Sequence, residues 1–479
     1  MKRRLWLGVL VLILAMVTAC GGRGPEVSAP DPARDAEDSP SMTPTATPPR
    51  PVLEAGVVTP PPDYSTSVYG YLEALDPVDA EVTLWYAYPD ARQFQFEALV
   101  QEFNLSNPWG ITVIAENFDT PALLYQEIIT GIPKLNYPTV ALVDSYQIPA
   151  YTARGALVSF APYMESATWG MEAALDDLAP AAQPSPATAD YGWPWAATTH
   201  VLLYNRDWLN ELGHTAPPTS WEDLETMACA TTRQSFSRAT GEGAVIGLLY
   251  TVDVDNFISL TRNNGGEIVG TDTLSATFAG PPGIEVLTTL RALTQRRCAT
   301  RHAEVAASPE AFGTGRALFA FVSIADLPAY RGEYDVAAAF SWGATALPRS
   351  TPRPVQSVRG SRFVLFNVRP ESQLAAWLFM QWLTELEQQA WWLTATNEIP
   401  AQAQTLRLLP EYLAENPAYA HAVALTATSA HDEPLLAGYP ACRALLAEAL
   451  TAIDGGANIQ TTLEAAEEAC TALLHAAAR

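Results

Sequence analysis

The sequence predicts an α/β protein with two domains, each a mainly parallel sheet flanked by helices, followed by a helical C-terminal region. Three observations carry this. From Glu81 onward, short apolar runs rich in β-formers alternate with amphipathic helical segments. The alternation stops and restarts near Ala197. The patterned body is roughly 400 residues long, more than a single core normally spans.

The N-terminus stands outside this pattern. Lys2, Arg3 and Arg4 precede an apolar run, Leu5 to Val17, too short to span a membrane comfortably. It reads as an export signal, residues 1–20. Its end, Val17-Thr18-Ala19-Cys20, resembles a lipobox: small residues suit a peptidase pocket, and the Cys20 thiol accepts a lipid. The expectation is a lipid anchor at Cys20 on the outer face of the cell membrane. Residues 21–77 are rich in Pro, Ser, Thr, Ala and Asp. Such a segment buries too little apolar surface to offset its ordering entropy. It reads as a disordered tether reaching on the order of 100 Å, at about 3 Å per residue.

Within the body, EVTLWYAY (Glu81–Tyr88) reads as a strand. DARQFQFEALVQEFN reads as a helix with Asp90 as its cap, and GITVIAENF as a second strand. TPALLYQEIITGI is a helix, with Thr120 capping and Pro121 at its first position. YPTVALVD is a third strand, ending at Asp144. After the aromatic stretch YGWPWAATTH, Ala197–Tyr204 reads as a strand and Asp207–Leu212 as a short helix. PPTSWEDLETMACATT opens a helix with Ser220 and Asp223 in capping-box positions. AVIGLLY, ALFAFVS and SRFVLFNV are strands; Asp255–Asn263, Gly283–Arg296 and Pro309–Gly315 are helices. Beyond Pro370 the chain reads as helical.

A net charge of −25 argues against nucleic-acid binding, which needs a basic face. Cys229, Cys298, Cys442 and Cys470 remain after Cys20, an even number that permits disulfides in an exported body. Three pairings are possible. Cys229–Cys298 and Cys442–Cys470 are expected, because each pair falls within one subdomain. Zinc is the rival, disfavoured by the lack of CxxC and of ligand spacing among the histidines. No metal and no cofactor are expected. GxSxG, HExxH and GxxxxGK[ST] are absent. The acidic stretch at Asp253 and Asp255 lacks the glycine and distal Glu of a calcium loop and reads as solvated.

In order and spacing, these segments resemble the extracellular solute-binding proteins of family 1, the maltose-binding-protein type. The similarity runs from about Glu81 to Leu474. HVLLYNRDWLNELGHTAPPTSWEDL carries the most specific match, a strand ending in Tyr-Asn-Arg-Asp followed by Pro-Pro-x-Ser-Trp-x-Asp-Leu. EVTLWYAYPDARQFQFEALVQEFN, AFGTGRALFAF and AAWLFMQWLTELEQQAWWLTATNEIPAQ add to it. The sequence departs from the family at Val322-Ser323-Ile324 and at Asn397-Glu398, where sugar contacts are common in the family.

The resemblance implies a type II periplasmic-binding-protein fold. Lobe 1 is expected at 78–192 and 345–370, lobe 2 at 193–344 and 371–479. It implies a monomer that binds a carbohydrate, a class the tryptophans also favour and expected to be an oligosaccharide, and delivers it to ABC permease subunits with a cytoplasmic ATPase. A secreted glycosidase, a sugar-phosphate or polyol binder, and a signalling co-receptor of the same fold are the alternatives. Trp193 and Trp195 are expected at the back of the cleft, because Pro194 between them suits a crossing between lobes. Trp85, Tyr86 and Asp144 are expected there because they end strands, where open α/β sheets bind ligands. Asn264, Trp342, Arg359, Gly360, Arg362 and Trp392 complete the expected ligand set.

Overall fold

The computed structural model describes residues 72–171, 177–240, 242–270, 274–301, 308–332 and 340–479. The export signal, Cys20 and the tether up to residue 71 lie outside the described residues. The tether was expected to run to residue 77. Instead Leu72 is buried, and its carbonyl accepts a hydrogen bond from Trp169 Nε1, so the folded body begins at least at that residue.

Among the described residues, twelve strands form one sheet: β1 (Glu81–Tyr86), β2 (Thr112–Asn117), β3 (Val140–Asp144), β4 (Leu157–Val158), β5 (Trp193–Asn205), β6 (Ile246–Tyr250), β7 (Ala299–Arg301), β8 (Ala317–Ser323), β9 (Trp342–Thr345), β10 (Gln356–Phe366), β11 (Ile399–Pro400) and β12 (Ala430–Asp432). The main order is β2-β1-β3-β10-β5-β8-β6-β7. Helices of ten or more residues are α1 (Arg92–Ser106), α2 (Pro121–Gly131), α3 (Trp221–Ala230), α4 (Val254–Asn263), α5 (Pro281–Gln295), α6 (Pro370–Leu383), α7 (Leu386–Thr396), α8 (Pro417–Ser429), α9 (Tyr439–Asp454) and α10 (Ile459–Ala477). Local signals act as expected at two starts. Thr120 accepts from Leu123 N at the start of α2, and Ser220 accepts from Asp223 N at the start of α3.

At each end of the sheet the strands pair in parallel, β1 with β2 and β3, and β6 with β7 and β8. The middle is antiparallel: β10 pairs with β3 and β5, and β5 with β8. Strand β5 begins at Trp193, four residues before the expected start. A register shift opposite Pro194 explains this, since a bulge tolerates the missing N–H.

In the first half of the sheet β3 and most of β10 are buried on both faces, β1 and β2 expose Glu81, Thr83 and Thr112 on one, and the buried side chains alternate between two cores. Val82, Leu84, Phe363 and Leu365 face one core; Val143, Val364 and Phe366 face the other. Helices α6 and α7 cover the first of these: Trp377, Phe379 and Trp392 pack there with Phe96 and Phe363. This corrects the expected boundary, which placed everything after 371 in the second lobe. Most of the apolar face of 370–396 packs on the first half's core, while Leu393 and the segments from Ile399 onward turn to the second half.

The second half has its own core of Val201, Leu203, Leu248 and Phe319. Cys229 and Cys298 are bonded beside β6, and Cys442 and Cys470 join α9 to α10. Gly247 allows the first pair to approach: a Cβ there would collide with the carbonyl oxygens of Ala228 and Cys298.

Candidate ligand-binding cleft

Strand β5 changes partners in its middle. Thr199 still pairs with Val358 of β10, while His200 pairs with Ser323 of β8. A cavity of about 180 Å³ opens at this switch. From the second half come Thr251, Asn256, Phe321, Ser323 and Asp326; Arg92 reaches in from α1 and Arg359 from β10. A narrow recess beside it is lined by Thr198, Ser357 and Glu433.

The polar groups around the cavity fall into linked sets. Arg359 Nη1 donates to Asp255 at 3.0 Å, and its Nε lies 3.7 Å from Asp144. Arg443 of α9 also pairs with Asp255, lies 2.6 Å from Glu433, and sits 4.9 Å from the Tyr146 ring centroid. Arg92 lies between Asp90, at 2.5 Å, and Glu398, at 2.7 Å. Asp253 caps α4, accepting from Asn256 N at 2.8 Å and from its side chain at 2.7 Å.

Burial and charge set the ionisation of these groups. Burial pushes the Asp255 carboxyl up, but Arg443, Arg359 and His200 outweigh it and hold Asp255 well below the usual carboxylate range. Burial disfavours the Arg359 charge, yet Asp255 and Asp144 raise its pKa. Asp326 behaves oppositely: burial raises its carboxyl, and Arg92 and His200 offset this only in part. Among the described residues, Asp326 makes no hydrogen bond or ion pair, and no group of three His, Cys, Asp or Glu side chains could hold a metal.

Of the eleven residues expected at the cleft, only Arg359 lines this cavity. Asp144 sits just behind it, paired with Arg359. Gly360 pairs with Ala197 at the crossing, beside the recess. The aromatic residues are core instead. Trp193 packs edge-on to Trp377, with ring centroids 4.8 Å apart. Trp195 and Trp392 lie 5.3 Å apart and are fully buried; their indole N–H groups donate to Tyr88 and Glu398. Tyr86 is fully buried with its hydroxyl on Glu97, and Trp85 packs against Phe118. For Tyr86, Trp193, Trp195 and Trp392 the physical reason is common: α1, α6 and α7 close over their face of the sheet and large rings fill the space, whereas Trp85 joins the core of the other face. Tyr191 to Leu209 is therefore mostly core.

The other three expectations fall elsewhere. Arg362 is buried with its guanidinium on the carbonyls of Ala182 and Gln183, and burial lowers its pKa to about 10. Asn264 ends α4, bonded to Glu285 and Ser350, while the cavity lies at the opposite end of that helix. Trp342 pairs with Asn205, five residues along β5 from His200, and lines a separate pocket of about 210 Å³.

Arg92, His200, Asn256, Ser323 and Asp326 were missed. Ser323 falls in Val322-Ser323-Ile324, flagged as a departure from the family pattern, and Asp326 follows it directly. The pair Asp253 and Asp255, expected to be a solvated loop, instead starts α4 at the cavity. Arg92 and His200 left no periodic signal, because each acts through its position between elements distant in sequence.

Comparison with known proteins identifies the family and the fold. The family described as bacterial extracellular solute-binding protein matches residues 98–421, well over half the chain. No curated protein matches it. The GacH receptor of Streptomyces glaucescens, solved unliganded and with acarbose, superposes with a TM-score of 0.67 at 17% identity, covering 83% of this chain and 98% of that one. The sugar-binding protein MalE of Xanthomonas citri gives 0.65 at 19%, covering 83% and 98%. UgpB of Mycobacterium tuberculosis, in complex with glycerophosphocholine, gives 0.66 at 17%, covering 84% and 100%. The chain belongs to the bacterial extracellular solute-binding protein family and has its type II, two-lobed periplasmic-binding fold.

Proposed function

We propose that this protein is the extracytoplasmic receptor of an ATP-driven importer and binds a carbohydrate in the cavity between β5, β8 and α4. One observation carries the reading. The cavity lies where β5 exchanges β10 for β8, so groups from both lobes line it. A solute held there touches both sides and favours a closed arrangement, with β5, β10 and β11 as the crossings. On this reading lobe 1 comprises 72–192 with 356–396, and lobe 2 comprises 200–345 with 403–479.

Asn256, His200 and Asp326 supply hydrogen-bonding groups for hydroxyls, and Phe321 an apolar wall for a ring face. The membrane subunits recognise the closed form, so ligand and permease reinforce each other's binding. The protein acts as a monomer without catalysis or cofactor. Lipid at Cys20 holds it to the membrane, and the Pro-rich segment is its tether. The names of the similar structures, two of which concern acarbose and sugar, support the solute class.

A thermal-shift screen against a carbohydrate panel tests this. A ligand at 100 times its dissociation constant stabilises the native state by about 2.7 kcal/mol, and the saccharide is recovered unchanged. A panel of mono- to tetrasaccharides that leaves the melting temperature unmoved removes the carbohydrate reading; a cleaved saccharide removes the non-enzymatic one. Cys20→Ser is expected to abolish detergent partitioning; unchanged partitioning removes the anchor.

A further inference from the structure

We propose that the solute carries a protonated amine, as in an amino-substituted saccharide, and that Asp326 is its counter-ion. The inference rests on the carbohydrate reading above and narrows it.

Asp326 ends the turn Ile324–Asp326 that follows β8, which places it in the cavity lining together with Arg92 and His200. Its neighbours are already engaged. Ser323 Oγ bonds Thr198 Oγ1 at 2.8 Å and accepts from Ala325 N at 3.3 Å. Asp253 is bound to Asn256 and Thr251, and Asp255 to two arginines. Of the three carboxylates lining the cavity, Asp326 alone has neither a hydrogen bond nor an ion pair among the described residues. A half-buried carboxylate without a donor costs free energy that a ligand donor relieves.

A hydroxyl could supply that donor; the surrounding charge favours a cation. Arg92 already has two carboxylates, Asp90 and Glu398. Arg359 and Arg443 share three, Asp144, Asp255 and Glu433. Each ion-pair set thus holds one carboxylate more than it has arginines, and Asp253 and Asp326 add to the excess. A neutral saccharide gains little from such a field, an anionic one is repelled by the excess of carboxylates, and an ammonium is attracted by that excess, although Arg92 and Arg359 oppose it.

The test is calorimetric titration of the full-length protein at neutral pH and low salt. The probes are α- and β-linked di- and trisaccharides of glucose, each with a free amine, an N-acetyl group or the ordinary hydroxyl at C2. The amine form is expected to bind at least about tenfold more tightly than the other two, with the preference shrinking as salt rises. Asp326→Asn is expected to bring the forms within about twofold of one another while the protein still melts cooperatively. Equal or tighter binding of the hydroxyl or N-acetyl form overturns the inference, as does a preference that survives in Asp326→Asn. Binding of the hydroxyl form with none of the amine form leaves the carbohydrate reading standing; binding of none overturns both.

Discussion

Arg359 Nη1 and Asp255 Oδ2 lie 3.0 Å apart, a hydrogen-bonded ion pair between β10 and α4. It joins the strand that crosses between the lobes to the helix whose N-terminus lines the cavity. Asp144 on one side and Arg443 on the other extend it into a chain of charges.

Removing Arg359 strands carboxylates on both sides of the crossing. Asp144 already has one buried oxygen without a partner. Arg359→Ala is expected to lower stability by about 2–3 kcal/mol, below the range for a fully buried pair because both side chains keep some solvent access. Denaturant unfolding measures it. A change under about 0.5 kcal/mol would mean that the pair contributes no more than a surface contact.

Asp326 predicts an unusual pH response. Its folded pKa is raised, so its carboxylate weakens the native state once pH exceeds the usual carboxylate value. Asp255 has the opposite sign. Its lowered pKa adds stability above the usual value, lost as pH falls through the folded value. Unliganded Asp326→Asn should therefore melt higher than the unmodified protein at pH 7, the gain vanishing below about pH 4. A lower melting temperature at pH 7 would show that Asp326 holds the fold together.

Trp195 is a packing residue in this account. Trp195→Ala is expected to cost about 3–5 kcal/mol of stability. Binding by the fraction that remains folded should change less than about twofold. Loss of binding with normal melting would put the ring on the ligand.

Each disulfide ties a loop within its own unit, with sequence separations of 69 and 28 residues. Exported protein should show no free thiol in the body when unfolded without reductant. Replacing both Cys442 and Cys470 with serine is expected to cost roughly 2–4 kcal/mol. Titratable body thiols in the unreduced protein would contradict the pairing.

The sequence revealed the fold more fully than the site. Period-two alternation in Val82-Leu84-Tyr86, the Thr120 cap and the Ser220–Asp223 box are local signals, and the structure uses each of them. The segments 370–396 misled because an apolar helix face does not name the sheet it covers. The tryptophans misled for a related reason: a ring suited to a sugar is equally suited to a core, and only α1, α6 and α7 closing overhead decides between them. His200 and Asp326 come together through strand register, His200 against Ser323, which residue spacing does not encode.

The most direct test of the central claim is a crystal structure of the protein with the saccharide that most raises its melting temperature. The account predicts the sugar in the cavity at the β5 partner switch, within hydrogen-bond distance of Asp326 and of groups from both lobes. A saccharide seated instead in the pocket beside Trp342, with the cavity at His200 unchanged, would contradict it.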